Sequence, residues 1–190
     1  MENITVGFAL TGSFCTFAKV VPQIQAVVDA GYNVLPIMSE MSYQTDTRFG
    51  KAEDFIKTIE TITKHTVIHT IRDSEPIGPK NLVDAMIVAP CTGNTIAKIA
   101  NGMTDSCVAM AAKASLRNGN PLIVAISTND GFGASGKNIG MLANTRRVYL
   151  VPFGQDAPLQ KPDSLVAHMD LILPTLEQAL QGRQIQPILV

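Results

Sequence analysis

Between Val88 and Asp105 the chain reads VAPCTGNTIAKIANGMTD. An apolar run, DAMIVAP, stops at Pro90; Cys91, Thr92, Gly93, Asn94 and Thr95 follow at once, and an amphipathic segment begins. Capping a helix needs one small polar residue, so the surplus points to a bound ligand. Thr92, Asn94 and Thr95 supply hydrogen-bond donors and acceptors, and Gly93 lets the backbone approach a flat molecule closely. Cys91 is a conceivable nucleophile, but no histidine lies near it in sequence, and packing among small residues suits the thiol better.

Three further loops carry candidate chemistry. In LTGSFCTF, Gly12 and Ser13 follow an apolar run and open a helix, where bare amides and the helix dipole suit a phosphate; a tight turn capped by Ser13 or Thr16 is the plainer alternative. Ser39, in SEMS, can donate to the same anion or to a ribose-like chain, or simply cap a helix. The segment STNDGFGASGKNIG contains a literal GxGxxG (Gly131, Gly133, Gly136) and a near match to the phosphate-binding GxxxxGK[ST] pattern ending at Lys137. The first motif belongs after the first strand of a nucleotide fold, and the second needs Ser or Thr where Asn138 stands. The expectation is a mobile glycine-rich lid with Lys137 reaching an anion at its tip.

Metal chemistry finds no support. Cys15, Cys91 and Cys107 are widely spaced, with no Cys/His cluster, so neither a disulfide framework nor a zinc site is expected, and a reducing, cytoplasmic setting fits. His65 and His69 are four residues apart, but the TVI between them reads as strand. They and His168 are expected in structural or surface roles.

These loops must be positioned by alternating elements. ITVGFAL (4 to 10), YNVLPIM (32 to 38), TVIHT, DAMIVAP, PLIVAIS (121 to 127) and RVYLVPF (147 to 153) read as six strands. Between them, Phe17, Val20, Val21, Ile24, Val27 and Val28 follow helical spacing, interrupted by Pro22 and ended by Gly31. Ala52, Phe55, Ile56, Ile59 and Ile62 mark a second helix after a polar loop, and helical patterns cover roughly 94 to 101 and 104 to 118. A last helix is expected from Asp163 or Ser164 to near Gly182. Apolar, non-alternating strands separated by helices mean a parallel sheet covered on both faces. The expected fold is therefore one doubly wound α/β domain over residues 1–190, flavodoxin- or Rossmann-like, with ligands beyond the carboxyl ends of its strands.

The bulk composition agrees with a globular enzyme-like protein: 46% hydrophobic and 16% charged residues, with formal net charge -1. No Lys/Arg run exceeds the pair Arg146-Arg147, so a nucleic-acid partner is not expected. No basic leader and no apolar run of roughly 18 residues is present, so neither a signal peptide nor a membrane span is expected.

LTGS after the first strand, with APCTGNTIAKIANGMTD after the fourth, resembles the flavoprotein family that includes flavin-containing cysteine decarboxylases and flavin prenyltransferases. The similarity runs over roughly 4 to 155. It implies that Gly12, Ser13 and Phe14 hold the phosphate of FMN and that Ser39 contacts phosphate or ribityl chain. It also implies that Pro90, Cys91, Thr92, Gly93, Asn94 and Thr95 line the flavin. The decarboxylase histidine, counted back from Asp84, falls on Pro76; of the decarboxylase motif PxMNxxMW only Asn129 remains, and the prenyltransferase Arg-Glu is missing.

SYQTDTRFG, APCTGNT and the stretch from Ser127 to Pro158 are similar to one branch of this family, which forms one half of a two-component oxidative synthase. That resemblance implies a partner polypeptide, the A component of the synthase, with an NADP-type fold. It also implies a ring substrate bearing two carboxylates, and a homo-oligomeric chain. Lys137, Arg146, Arg147 and Arg48 are then the candidates for the carboxylates, since arginine forks match them bidentately. Asn94 and Asn129 are the catalytic candidates; they can orient flavin or substrate, but neither takes a proton at neutral pH. The alternatives are a non-catalytic scaffold keeping a relic pocket, and a flavin-dependent decarboxylase using an unusual base.

Overall fold

The computed structural model describes residues 4–190. Five parallel strands form the body of one seven-stranded sheet: β1 (Thr5–Leu10), β2 (Asn33–Met38), β3 (Ala85–Cys91), β4 (Leu122–Thr128) and β5 (Val148–Leu150). Their spatial order is β2-β1-β3-β4-β5, with β1 in register from Thr5↔Asn33 to Leu10↔Met38 on one side and Val6↔Ala85 to Ala9↔Val88 on the other. Every residue of β3 and β4 is buried, which follows from helices covering both faces.

The helices are α1 (Phe17–Asp29), α2 (Glu40–Gln44), α3 (Ala52–Thr63), α4 (Ile71–Ser74), α5 (Gly93–Ala100), α6 (Cys107–Arg117), α7 (Gly136–Ala143) and α8 (Ile172–Leu180). α1 packs on α3 and α8, while α5 packs on α6 and α7. α1 buries Phe17, Val20, Ile24 and Val27, the stripe expected from their spacing. Pro22 stands inside it on the exposed side, removing one amide from the ladder without ending the helix. Lys98 of α5 reaches Asp105 at 3.0 Å, closing the turn into α6.

Several elements differ from the expected ones. TVIHT is no strand: it touches the sheet through one bridge, Ile37↔Ile68, with Ile68 bonded to Pro36 and Met38. The polar loop after β2 holds α2, and the loop with Pro76 and Pro79 begins with α4 and a 3-10 turn, Glu75–Ile77. RVYLVPF divides at Pro152, which has no amide to continue a ladder. Its first part is β5, and Phe153 opens β6 (Phe153–Ala157), which turns back as β7 (Lys161–Ala167).

β7 is antiparallel to both β6 and the end of β4 (Ser127↔Val166, Thr128↔Leu165), so the sheet is mixed rather than wholly parallel. The helix expected from Asp163 or Ser164 is therefore a strand, and the last helix starts at Ile172. The cause is tertiary: β5 flanks β4 only as far as Val124, and β7 supplies partners beyond it. Such pairing overrides a local helical period.

Candidate functional site

The chain leaves β1 toward β2 on one side and enters β3 on the other, so a crevice opens beyond the carboxyl ends of β1 and β3. This is the switch point at which open α/β sheets bind ligands. Thr11 locks it. Its buried hydroxyl donates to the Pro90 carbonyl at 2.7 Å and accepts from the Thr92 amide at 3.0 Å. Across the crevice the Ser13 and Ser127 hydroxyls share a hydrogen bond of 2.8 Å, tying the first loop to the end of β4.

The resulting cleft holds about 510 Å³, with Gly12, Ser13, Phe14, Thr92, Gly93 and Asn129 on its walls and Lys19, Asp156 and Lys161 at its margin. A Cβ built on Gly12 would meet nothing closer than Phe14 Cε2 at 3.7 Å, so the loop there is open for a ligand to approach.

The remaining expected site residues lie elsewhere. Pro90, Cys91 and Thr95 are buried behind the wall. Burial pushes the Cys91 thiol far above its usual value, which keeps it neutral and disposes of it as a nucleophile. Cys107 is likewise raised, to about 12, by burial and by Glu40. Ser39 caps α2, accepting from the Ser42 amide at 3.2 Å and sharing a 2.8 Å bond with the Ser42 hydroxyl, and does not line the cleft. Asn94 is exposed in the first turn of α5, outside the lining residues.

Arg146 and Arg147 lie away from this cleft. They precede β5 at the amino ends of the strands, where the Arg147 guanidinium donates to the Gly119 carbonyl and its carbonyl accepts from Leu122 at 2.9 Å. That is the end of the sheet opposite the cleft. Lys137 is exposed at the start of α7 and lines neither the cleft nor its neighbouring recess. The cations that do surround the site are Lys19, Lys161 and Arg48. Lys161 was hidden because its segment reads as the approach to a helix.

The glycine-rich segment is a tight turn rather than a long lid. Gly133 and Ser135 amides donate to the Asp130 carbonyl at 2.9 and 3.3 Å, and α7 begins at Gly136. The Asp130 carboxylate accepts from the Thr128 hydroxyl and from Ser135 at 2.7 Å. These two bonds, Thr128 first, hold its carboxyl below the usual aspartate range. Because the folded value is depressed, the stabilisation is complete above the unfolded pKa of about 3.9 and is lost as pH falls through the folded value. Denaturation midpoints followed from pH 7 down to 3 should therefore fall less steeply for Asp130→Asn than for wild type; equal slopes would remove Asp130 from the acid response.

His65 Nε2 bonds Asn33 Oδ1 at 2.8 Å, and His69 stacks on Tyr43 with centroids 3.6 Å apart. Among the described residues no group of three or more His, Cys, Asp or Glu is gathered for a metal, and no helix is long and apolar enough to cross a membrane.

A flavodoxin-like strand order, a small-residue loop after β1 and a polar turn after β3 frame a cleft at the switch point. The chain belongs to the Flavoprotein family, whose model matches residues 1–167. It is 48% identical over 190 residues to the B component of dipicolinate synthase from Bacillus subtilis (strain 168), spanning 100% of this chain and 95% of that one. The crystal structure of the same synthase component from Bacillus halodurans C superimposes with a TM-score of 0.91 at 47% identity, covering 100% of this chain and 98% of the other. A flavin prenyltransferase, UbiX of Chlamydia muridarum (strain MoPn / Nigg), is 30% identical over 125 residues, 64% of this chain and 65% of its own length.

Proposed function

We propose that this chain is the B component of dipicolinate synthase, with FMN in the switch-point cleft. In this reading it acts with the A component, which carries the NADP-type cofactor, to oxidise dihydrodipicolinate or its hydrated precursor in the cytoplasm of a sporulating cell. It works as one domain of 190 residues within a homo-oligomer. The observation that carries the reading is the Thr11 lock, which holds the Gly12-Ser13 loop and the Thr92-Gly93 turn on one crevice, in a chain similar from end to end to the Bacillus subtilis protein.

The residues fit the cofactor. Gly12 and Ser13 open the path to α1, whose first turns and Lys19 offer positive charge to a phosphate. Thr92, Gly93 and Asn129 line the same cleft; there Thr92 and Gly93 would border the flavin ring, and Asn129 would orient a substrate carbonyl or carboxylate. Bound flavin supplies an acceptor for a hydride and its two electrons. Aromatisation of the ring also releases a proton; the cleft is open to water, and Asp156 is the carboxylate on its margin.

Anaerobic addition of dihydrodipicolinate to the FMN-loaded chain tests this: the visible flavin band should bleach as dipicolinate forms. If the band stays intact while the A component with its nicotinamide cofactor produces dipicolinate, the chain is a scaffold and the chemistry belongs to the partner.

A further inference from the structure

Beside the cleft lies a recess of about 570 Å³ that shares Cys15, Phe49, Asn129 and Lys161 with it and adds Arg48 and Asp163. Its two cations come from unrelated parts of the fold. Arg48 and Phe49 form the tip of a two-residue turn closed by reciprocal Thr47–Gly50 bonds of 3.0 and 3.1 Å. Asp46 anchors that turn by accepting from the Ala52 amide at 2.9 Å. Gly50 holds φ +145, and a Cβ there would meet Phe55 at 2.8 Å, so the turn is set tightly against α3. Lys161 is the first residue of β7, presented by the β6–β7 hairpin.

Among the described residues Arg48 enters no ion pair; its guanidinium lies over the Phe49 ring at 4.9 Å. Lys161 pairs with Asp156 at 3.1 Å, with both side chains substantially exposed. Exposed pairs of this kind contribute little to stability, so Lys161 can exchange Asp156 for an arriving anion. Phe49, 45% exposed, adds an apolar ring to the lining of the recess. Asp163 is the one carboxylate among the described residues lining the recess.

We propose that this recess is the substrate subsite, taking a planar ring dicarboxylate. Arg48 grips one carboxylate, Lys161 grips the other, Phe49 lies against the ring, and Asn129 faces the flavin cleft. A guanidinium fork suits a carboxylate bidentately, and an ammonium suits one as a point charge. The assignment rests on the flavin reading above only for what the ring reacts with; the clamp itself needs no cofactor.

Titration calorimetry with pyridine-2,6-dicarboxylate in metal-free buffer, on the full chain with and without FMN, reads both questions separately. Arg48→Gln and Lys161→Gln should each weaken binding by about tenfold or more, as expected for loss of a charge-assisted contact. Arg48→Lys should recover only part of the loss. Pyridine-2-carboxylate should bind wild type about tenfold more weakly, and its affinity should depend on one of the two cations far more than on the other. Arg48→Gln should keep wild-type FMN affinity. Dicarboxylate binding that ignores both glutamine variants overturns the clamp. Cation-dependent binding by a chain that takes up no FMN sustains the clamp and overturns the flavin reading.

Discussion

Replacing Gly93 by alanine is expected to weaken FMN binding by at least tenfold and to lower thermal stability. A Cβ at this position would meet Ser135 Oγ at 2.5 Å, Thr128 Oγ1 at 2.7 Å and Asp130 Oδ1 at 3.0 Å. Both hydroxyls donate to Asp130 Oδ1, so none of the three can retreat without straining those hydrogen bonds. Overpacking a fitted site costs about 1–3 kcal/mol, and for a chain of this size each kcal/mol lowers Tm by about 2–4 °C. The displaced group sits at the end of β4, beside Ser127 and Asn129 on the cleft wall, so the same shift reshapes the site. Gly12→Ala is the contrast. Its Cβ meets only Phe14 Cε2 at 3.7 Å, so stability should change by no more than about 0.5 kcal/mol, while the bound phosphate loses its close approach. Scanning fluorimetry and an FMN titration on both variants separate the two effects; an unshifted melting temperature for Gly93→Ala would contradict the packing account.

Gly131→Ala is expected to destabilise the protein while leaving FMN affinity per folded molecule within about twofold of wild type. Its Cβ would lie 2.5 Å from both Leu165 Cδ1 and Cγ, and 2.8 Å from Leu165 Cβ. Leu165 is 5% exposed and registers opposite Thr128 in the β4–β7 ladder, so it has little freedom to move. The cost falls in the same range of about 1–3 kcal/mol. Gly136 is constrained as well, since a Cβ there would approach the Gly131 carbonyl at 2.9 Å. Two glycines of the apparent GxGxxG thus serve packing and a tight turn. A urea denaturation series reads the loss. An unchanged midpoint accompanied by lost FMN binding would restore the segment as a nucleotide loop.

Much of the fold was legible because the signals were local. β3 and β4 are buried along their whole length, and continuous apolar runs announce that. α1 keeps the 3.6-residue stripe of Phe17, Val20, Ile24 and Val27 despite Pro22. The antiparallel hairpin was not legible, because LVAHMDLIL carries a helical period, and it is pairing with β6 and with the otherwise unpaired end of β4 that makes Leu165 and Val166 a strand. The short α2 was hidden for the opposite reason: five polar or flexible residues read as loop until Ser39 is seen capping them.

The site divides in the same way. Thr92 and Gly93, like Gly12 and Ser13, stand at strand ends, where position follows from the fold itself. The reason for glycine at 93 was not readable: it accommodates Thr128, Asp130 and Ser135, which lie 35 to 42 residues away in sequence. Arg146 and Arg147 lie at the other end of the sheet from the cleft, and charge and proximity to a strand do not say which end of the sheet a residue occupies. Lys161 escaped notice because its place depends on a hairpin that no local pattern signals. Phe49, likewise, reads as part of a polar loop until the Thr47–Gly50 turn presents it.

The central claim is that the switch-point cleft binds FMN, and retention of the dye tests it most directly. The purified chain should be incubated with FMN, passed through gel filtration, and its visible spectrum recorded beside Ser13→Ala, which leaves Ser127 without its partner in the loop after β1. The account predicts a retained flavin spectrum near one equivalent per chain for wild type and a clear loss for Ser13→Ala. A colourless wild-type protein, or equal retention by the variant, would contradict it.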